Sequence, residues 1–312
     1  MSAYVFDTRT ATLDLKSELV FDCDLSNDGE LLAVACVAGE GQSPIRVYAT
    51  ANESVVAEFG RGGAVGNGVA FSGDGQSLYF LVRDRDMRFI FNRASLSDGA
   101  IEQLAIYGDA EFCHSLARNR DGRFVSVLGT AVEVWDMQTR EVIRFKEGAD
   151  SHHPVYASFS ADGSLFCTYG TVESHVIVFD LMADREIIRL KAPAPFGQQV
   201  ILSPSGEQVA AVAEGMKGVF VYSVADGTRL MEQAFDENTY TNLLTFARDG
   251  GLLAFLTTEF RARRLPQGER VPGPEVGLVG NNTAAASAYD APMLVFALGG
   301  HLCWVRLVEQ GD

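Results

Sequence analysis

The sequence predicts an all-β fold, a closed seven-bladed β-propeller with four antiparallel strands per blade. Three observations predict it. A small turn recurs seven times, a nearly continuous apolar run follows each turn, and the two chain ends look like two halves of one repeat. The turns are Asn27-Asp28-Gly29, Gly73-Asp74-Gly75, Arg120-Asp121-Gly122, Ala161-Asp162-Gly163, Pro204-Ser205-Gly206, Arg248-Asp249-Gly250 and Leu298-Gly299-Gly300. Successive glycines are 46, 47, 41, 43, 44 and 50 residues apart, the period of a propeller blade. Asp-Gly between apolar segments is a strong hairpin signal, because glycine takes positive φ without a Cβ clash.

Each element of the repeat has its own physical signature. A short strand precedes the turn, as in Gly68-Val69-Ala70-Phe71 and Tyr156-Ala157-Ser158-Phe159. The strand after it is almost wholly apolar, as in Leu31-Leu32-Ala33-Val34-Ala35 and Phe124-Val125-Ser126-Val127-Leu128. Such runs belong to strands buried on both faces. The third strand alternates and ends in an aromatic residue: Arg46-Val47-Tyr48, Val134-Trp135-Asp136, Val178-Phe179-Asp180. The fourth is more charged, as in Ile187-Ile188-Arg189-Leu190-Lys191, which suits an exposed edge that must resist pairing with other chains.

The last repeat supplies Met293–Leu298 and Leu302–Leu307 and then stops. Tyr4-Val5-Phe6-Asp7 and Ala11-Thr12-Leu13-Asp14-Leu15 resemble third and fourth strands elsewhere. The expectation is one domain, 1–312, whose seventh blade is formed by 1–16 and 291–312, two strands from each end. The spacing across the termini, from Gly300 round to Gly29, is 41, and such a join leaves no open edge.

Composition narrows the function classes. The chain has 312 residues, 47% hydrophobic and 21% charged, with 41 acidic and 25 basic side chains and a formal net charge of -16. So acidic a chain repels phosphate backbones, which argues against a nucleic-acid partner and for a protein or peptide partner of basic character. Cys23, Cys36, Cys113, Cys167 and Cys303 are scattered, odd in number and without CxxC pairing, against a disulfide framework or structural zinc. No signal segment and no apolar run near the roughly 20 residues of a membrane span is visible. A cytoplasmic location without membrane contact is expected.

With the repeats in place, the chain resembles the WD40-repeat family in its divergent, bacterial type. Val134-Trp135-Asp136 reproduces the family's Trp-Asp ending, and Phe179-Asp180 and Phe6-Asp7 approach it. The Gly-His dipeptide that opens the family's repeats is missing, so its buried Asp-His-Ser/Thr-Trp network is expected to be absent from most blades. The resemblance implies a rigid non-catalytic scaffold for assembling other proteins.

Function on such a scaffold is expected on the loops between blades and between second and third strands, which share one face. Partner-binding candidates there are Arg83 and Arg85 in blade two, Asp109, Glu111 and Phe112 entering blade three, and Phe196. Asp236, Glu237 and Tyr240 near blade six join them, with Arg261 in blade six. Phe112, Phe196, Tyr240 and Phe260 are the candidate aromatic anchors. Asp150, His152, His153, Glu173 and His175 lie on two loops of blade four, the one place where histidines and carboxylates gather as metal ligands would. No catalytic residue, metal site or cofactor is assigned, because no GxSxG, HExxH, P-loop or Rossmann fingerprint occurs in its required context. The Gly60–Gly68 run precedes a strand, not a helix, and reads as a flexible blade connection. Two readings stay open: a scaffold that binds a partner around the central opening, and a propeller hydrolase or lactonase with an acidic or metal site on that face.

Overall fold

The computed structural model describes the chain except for residues 1–2, 7–10, 15–18, 38–42, 61–64, 109–114, 129–131, 146–153, 171–174, 192–195, 214–217, 236–242, 248–249, 257–259, 273–281, 299–300 and 311–312. Seven antiparallel sheets follow one another along the chain, the seven blades that the repeat predicts. Blade one is Val20–Leu25, Leu31–Cys36, Ile45–Ala49 and Val55–Phe59, from the axis outward. Blades two to six repeat this order, starting from the innermost strands Val65–Phe71, Ser115–Arg118, Pro154–Phe159, Phe196–Leu202 and Leu243–Phe246.

Blade seven joins both chain ends but corrects the expected count. Its innermost strand is Asn282–Ser287, followed by Met293–Leu298 and the ten-residue His301–Gln310. The N-terminal segments Ala3–Phe6 and Ala11–Asp14 both pair with that last strand, against Leu307–Gln310 and His301–Trp304. They are two halves of one outermost strand, so three strands come from one end and one from the other. Leu298-Gly299-Gly300 therefore lies between second and third strands. The turn equivalent to the other six glycine turns (five Asp-Gly and Ser205-Gly206) is Ala288-Tyr289-Asp290-Ala291, which has no glycine. The innermost strand was invisible in the sequence because Asn-Thr-Ala-Ala-Ala-Ser carries neither β-branched bulk nor an alternating pattern.

The core lies between blades. Seven clusters of buried apolar side chains occupy the seven seams, from Phe71 and Phe80 between blades one and two to Val295 and Trp304 between seven and one. Aromatic pairs interlock neighbours: Phe59 stacks on Phe80 at 5.7 Å, and Phe260 meets Phe296 edge-on at 5.4 Å. Fully burying such a ring is worth about 1.5–3 kcal/mol. Phe260, a candidate anchor on sequence grounds, is thus part of the core.

The turns contain more order than Asp-Gly alone. Gly29, Gly75, Gly122, Gly163, Gly206 and Gly250 have φ between 66° and 75°. Ser26, Ser72 and Ser160 each donate to Asp28, Asp74 and Asp162 at 2.6 Å and accept the N–H of Leu31, Ser77 and Leu165 at 2.9 Å. Asn119 plays the same part with Asp121 and Phe124. The repeat is therefore Ser/Asn-x-Asp-Gly, a side-chain-capped turn. The Gly60–Gly68 run also differs from expectation, since Val65–Phe71 is strand. A Cβ on Gly66 would stand 2.6 Å from the Pro44 carbonyl oxygen, and one on Gly68 2.9 Å from Leu116 N. Here glycine marks close approach of backbones, not flexibility.

Candidate functional site

The innermost strands leave one edge facing the axis, with N–H groups that no further strand can pair. Side chains of the preceding blade satisfy several of them. Asp24 accepts from Phe71 N–H at 2.8 Å, Asp22 from Val69 N–H at 3.3 Å, and Ser158 from Leu202 N–H at 3.2 Å. Gln199 accepts from Leu244 N–H. A polar lining is thus built into an otherwise apolar ring.

On the turn face this lining condenses into a hub. Arg118 of blade three reaches across to blade one, donating to Asp24 at 2.7 Å, to Asn27 Oδ1 at 2.9 Å and to the Leu25 carbonyl at 2.7 Å. Its side chain is only 3% exposed. The guanidinium lies 5.2 Å from the centre of the Tyr289 ring, and the Tyr289 hydroxyl donates to the Arg118 carbonyl. Burial pushes that phenol up to about 12, against the opposing pull of Arg118. Asn27 donates to the Gly73 and Arg120 carbonyls, both at 2.8 Å. Arg120 pairs with Asp290, whose N–H donates to the Asn27 carbonyl. Further N–H groups, Arg120 to Ala161 and Ala161 to Pro204, carry the chain of bonds to blades four and five.

Beside the hub lies a cavity of about 410 Å³, lined by residues of all seven innermost strands. Its walls mix aliphatic and aromatic groups, among them Leu116, Phe159, Val200 and Phe246, with polar ones: Asp22, Ser115, Ser158, Gln199, Thr245 and Ser287, and the Asp24–Arg118 pair at the hub side. Asp22 is the chemical exception. Burial lifts its carboxyl from 3.8 to about 7, against the lowering effect of the hydrogen bonds from Leu116, Val69 and Ser115, while the charge of Asp24 raises it further. Among the described residues no cation pairs with it, whereas Asp24 has Arg118.

Blade one also turns an apolar surface outward at the strand ends opposite the turns. Leu19 is 40% exposed, Phe21 38% and Val37 39%. The Val37 N–H donates to the Leu19 carbonyl, and Phe21 also lines the cavity. Phe21 is the extra residue of a bulge between the pairs Val20–Cys36 and Asp22–Ala35. The bulge breaks the alternation that would bury it. None of Asp22, Arg118, Asn27, Tyr289 and Phe21 was among the sequence candidates. The available signal was two aspartates at alternate positions of an innermost strand, Asp22 and Asp24.

The sequence candidates that fall among the described residues are spread over several blades. Arg83 ends the second strand of blade two, half-buried, and Arg85 is exposed in the following loop. In that loop Arg88 pairs with Asp84 at 2.8 Å and Asp86 at 3.0 Å, neutralising the acidic members of the run. The N–H of Arg88 in particular holds Asp84 below the usual carboxylate range. Arg261 lies over the Phe235 ring at 5.7 Å. Phe196 begins the innermost strand of blade five, and His175 begins the third strand of blade four, paired with Gly170 and Lys191. Asp109, Glu111, Phe112, Asp236, Glu237 and Tyr240 fall outside the described residues, as do Asp150, His152, His153 and Glu173. Among the described residues, no group of three or more His, Cys, Asp or Glu is placed to hold a metal ion, and no helix is long and apolar enough to cross a membrane. Where the family's Trp-Asp network is expected to be missing, Trp135 donates instead to Glu133, which also accepts from Tyr107 at 2.8 Å.

No protein-family model and no curated protein sequence matches the chain. Among solved structures it is similar to the β-propeller domain of Cps50 (Swd1) from Myceliophteria thermophila. The TM-score is 0.72 at 13% sequence identity, over 97% of this chain and 100% of that one. At that identity the likeness establishes the fold.

Proposed function

We propose that this protein is a non-catalytic propeller module that binds a protein or peptide partner on the loop face, around the central axis. The observation that carries the reading is the contrast between the two ends of the axis. Hydrogen bonds among six blades occupy the turn face, while Leu19, Phe21 and Val37 lie accessible beside the cavity at the other end. Contiguous exposed apolar groups on a rigid frame suit partner docking. Arg83, Arg85 and Arg261 belong to the same face in this reading, and the -16 net charge favours a basic partner over a nucleic acid. A cytoplasmic location is part of the proposal.

The test is affinity capture from the source organism with three baits: the native protein, Phe21→Asp with Val37→Asp, and Glu30→Lys on the turn face. A specific partner is expected to be retained by Glu30→Lys and lost by the double variant. Equal capture by all three baits, or loss only with Glu30→Lys, overturns the assignment.

A further inference from the structure

Two carboxylates project toward the axis from one strand, and they are not equivalent. Asp24 is satisfied by Arg118 and by Phe71 N–H. Asp22 Oδ2 accepts from Ser115 Oγ at 3.0 Å, Val69 N–H at 3.3 Å and Leu116 N–H at 3.4 Å. Its Oδ1 accepts, among the described residues, only the N–H of Cys23 at 3.0 Å. Arg118, the cation on the cavity wall, is committed to Asp24, and a largely desolvated carboxylate without a cation of its own is costly unless something else pairs with it. Asp22 remains partly accessible and lines the 410 Å³ cavity, within the size range of small-ligand pockets.

We propose that the central cavity binds a primary ammonium group on a short aliphatic stem, with Asp22 as its counter-ion. This deepens the partner-binding reading and rests on it for the direction of approach. The distribution of acceptors selects the cation. A guanidinium seeks both carboxylate oxygens in a bidentate fork, but Oδ2 already has three donors, leaving room at Oδ1 for a single point charge. The remaining ammonium protons meet a lining that contains Ser158, Thr245 and Ser287, and the methylene stem meets Leu116 and Phe159. The ammonium comes from one of two sources, a free small amine or a lysine side chain of a bound peptide.

Calorimetric or NMR titration of the full chain tests this with n-butylammonium, n-butylguanidinium and n-butanol. n-Butylammonium is expected to bind at least ten-fold more tightly than n-butanol and several-fold more tightly than the guanidinium. Asp22→Asn is expected to lower n-butylammonium affinity at least ten-fold. Equal binding of n-butylammonium and n-butanol overturns the proposal on the native protein alone, even if the variant fails to fold. Unchanged affinity in a folded Asp22→Asn overturns it as well. A neutral hexapeptide with one lysine, compared with its norleucine counterpart, separates the sources. Lysine-dependent affinity ten-fold above that of n-butylammonium identifies a peptide, and n-butylammonium binding without peptide binding identifies a free amine. If Asp22→Asn keeps both its n-butylammonium affinity and the captured partner, the loop-face reading stands and the cavity proposal falls.

Discussion

Asp22 and Asp24 sit two residues apart on the innermost strand of blade one, both facing the axis, yet they do opposite work. Asp24 points to the turn face, where Arg118 crosses from blade three to meet it and the pair joins a hub of backbone and side-chain bonds. Asp22 lies further from the turns, holds three donors on one oxygen and has no cation among the described residues. The difference teaches that burial of a carboxylate is not itself a sign of function or of structure. The presence or absence of a countercharge, which comes from another blade, decides between them.

The largest loss from a single substitution is expected at the hub. Arg118→Met strands the half-buried Asp24 carboxylate together with the Leu25 carbonyl, and is expected to cost about 3 kcal/mol in urea denaturation. A loss below about 1 kcal/mol would show that Asp24 and Asp22 are equivalent after all. Gly73→Ala comes next, because its Cβ would stand 2.2 Å from the Asp121 carbonyl oxygen in the adjoining turn. Roughly 2–3 kcal/mol is expected, against less than about 0.5 kcal/mol for Gly108→Ala, whose Cβ meets nothing within 4 Å.

The pH dependence of stability sharpens the comparison from the Asp22 side. Its folded pKa, about 7, lies above the ordinary 3.8, so the native state holds the proton more tightly than the unfolded chain. Its contribution is therefore complete below about pH 4 and is lost as pH rises through 7, on the order of 4 kcal/mol. Asp22→Asn is expected to flatten that slope between pH 4 and 7 in denaturation curves; a parallel curve would deny Asp22 the elevated pKa. The smallest effect is expected in the turns. Ser72→Ala removes the cap on Ser77 N–H and is expected to cost about 1 kcal/mol, read as a shifted denaturation midpoint.

Much of the fold was legible because propeller repeats are local. Asp-Gly turns, buried second strands and charged outer edges each follow from a few neighbouring residues, and six of the seven blades announce themselves this way. Blade seven was misread because Ala288-Tyr289-Asp290-Ala291 lacks the glycine, while the Gly299-Gly300 pair imitates the signal one hairpin later. The chain-end join was nevertheless visible in the strand-like segments at both ends. The site was far less legible. Arg118 contacts Asp24 across 94 residues and Tyr289 across 171, and no window of sequence contains such a pairing. Phe21 is exposed where a bulge interrupts the pairing of its strand, and a bulge depends on the partner strand as well as on the local residues.

By itself the sequence determined seven blades of four strands, the place of every capped Asp-Gly turn, and a net charge of -16. These depend on φ preference, side-chain period and charge, all properties of residues close together in the chain. Only the tertiary structure decided which axial carboxylate is neutralised, that one face is tied off by a hub, and that a cavity remains beside it. Ring closure brings strands from distant blades within hydrogen-bonding distance, and the free energy of a buried charge depends on what that closure places next to it.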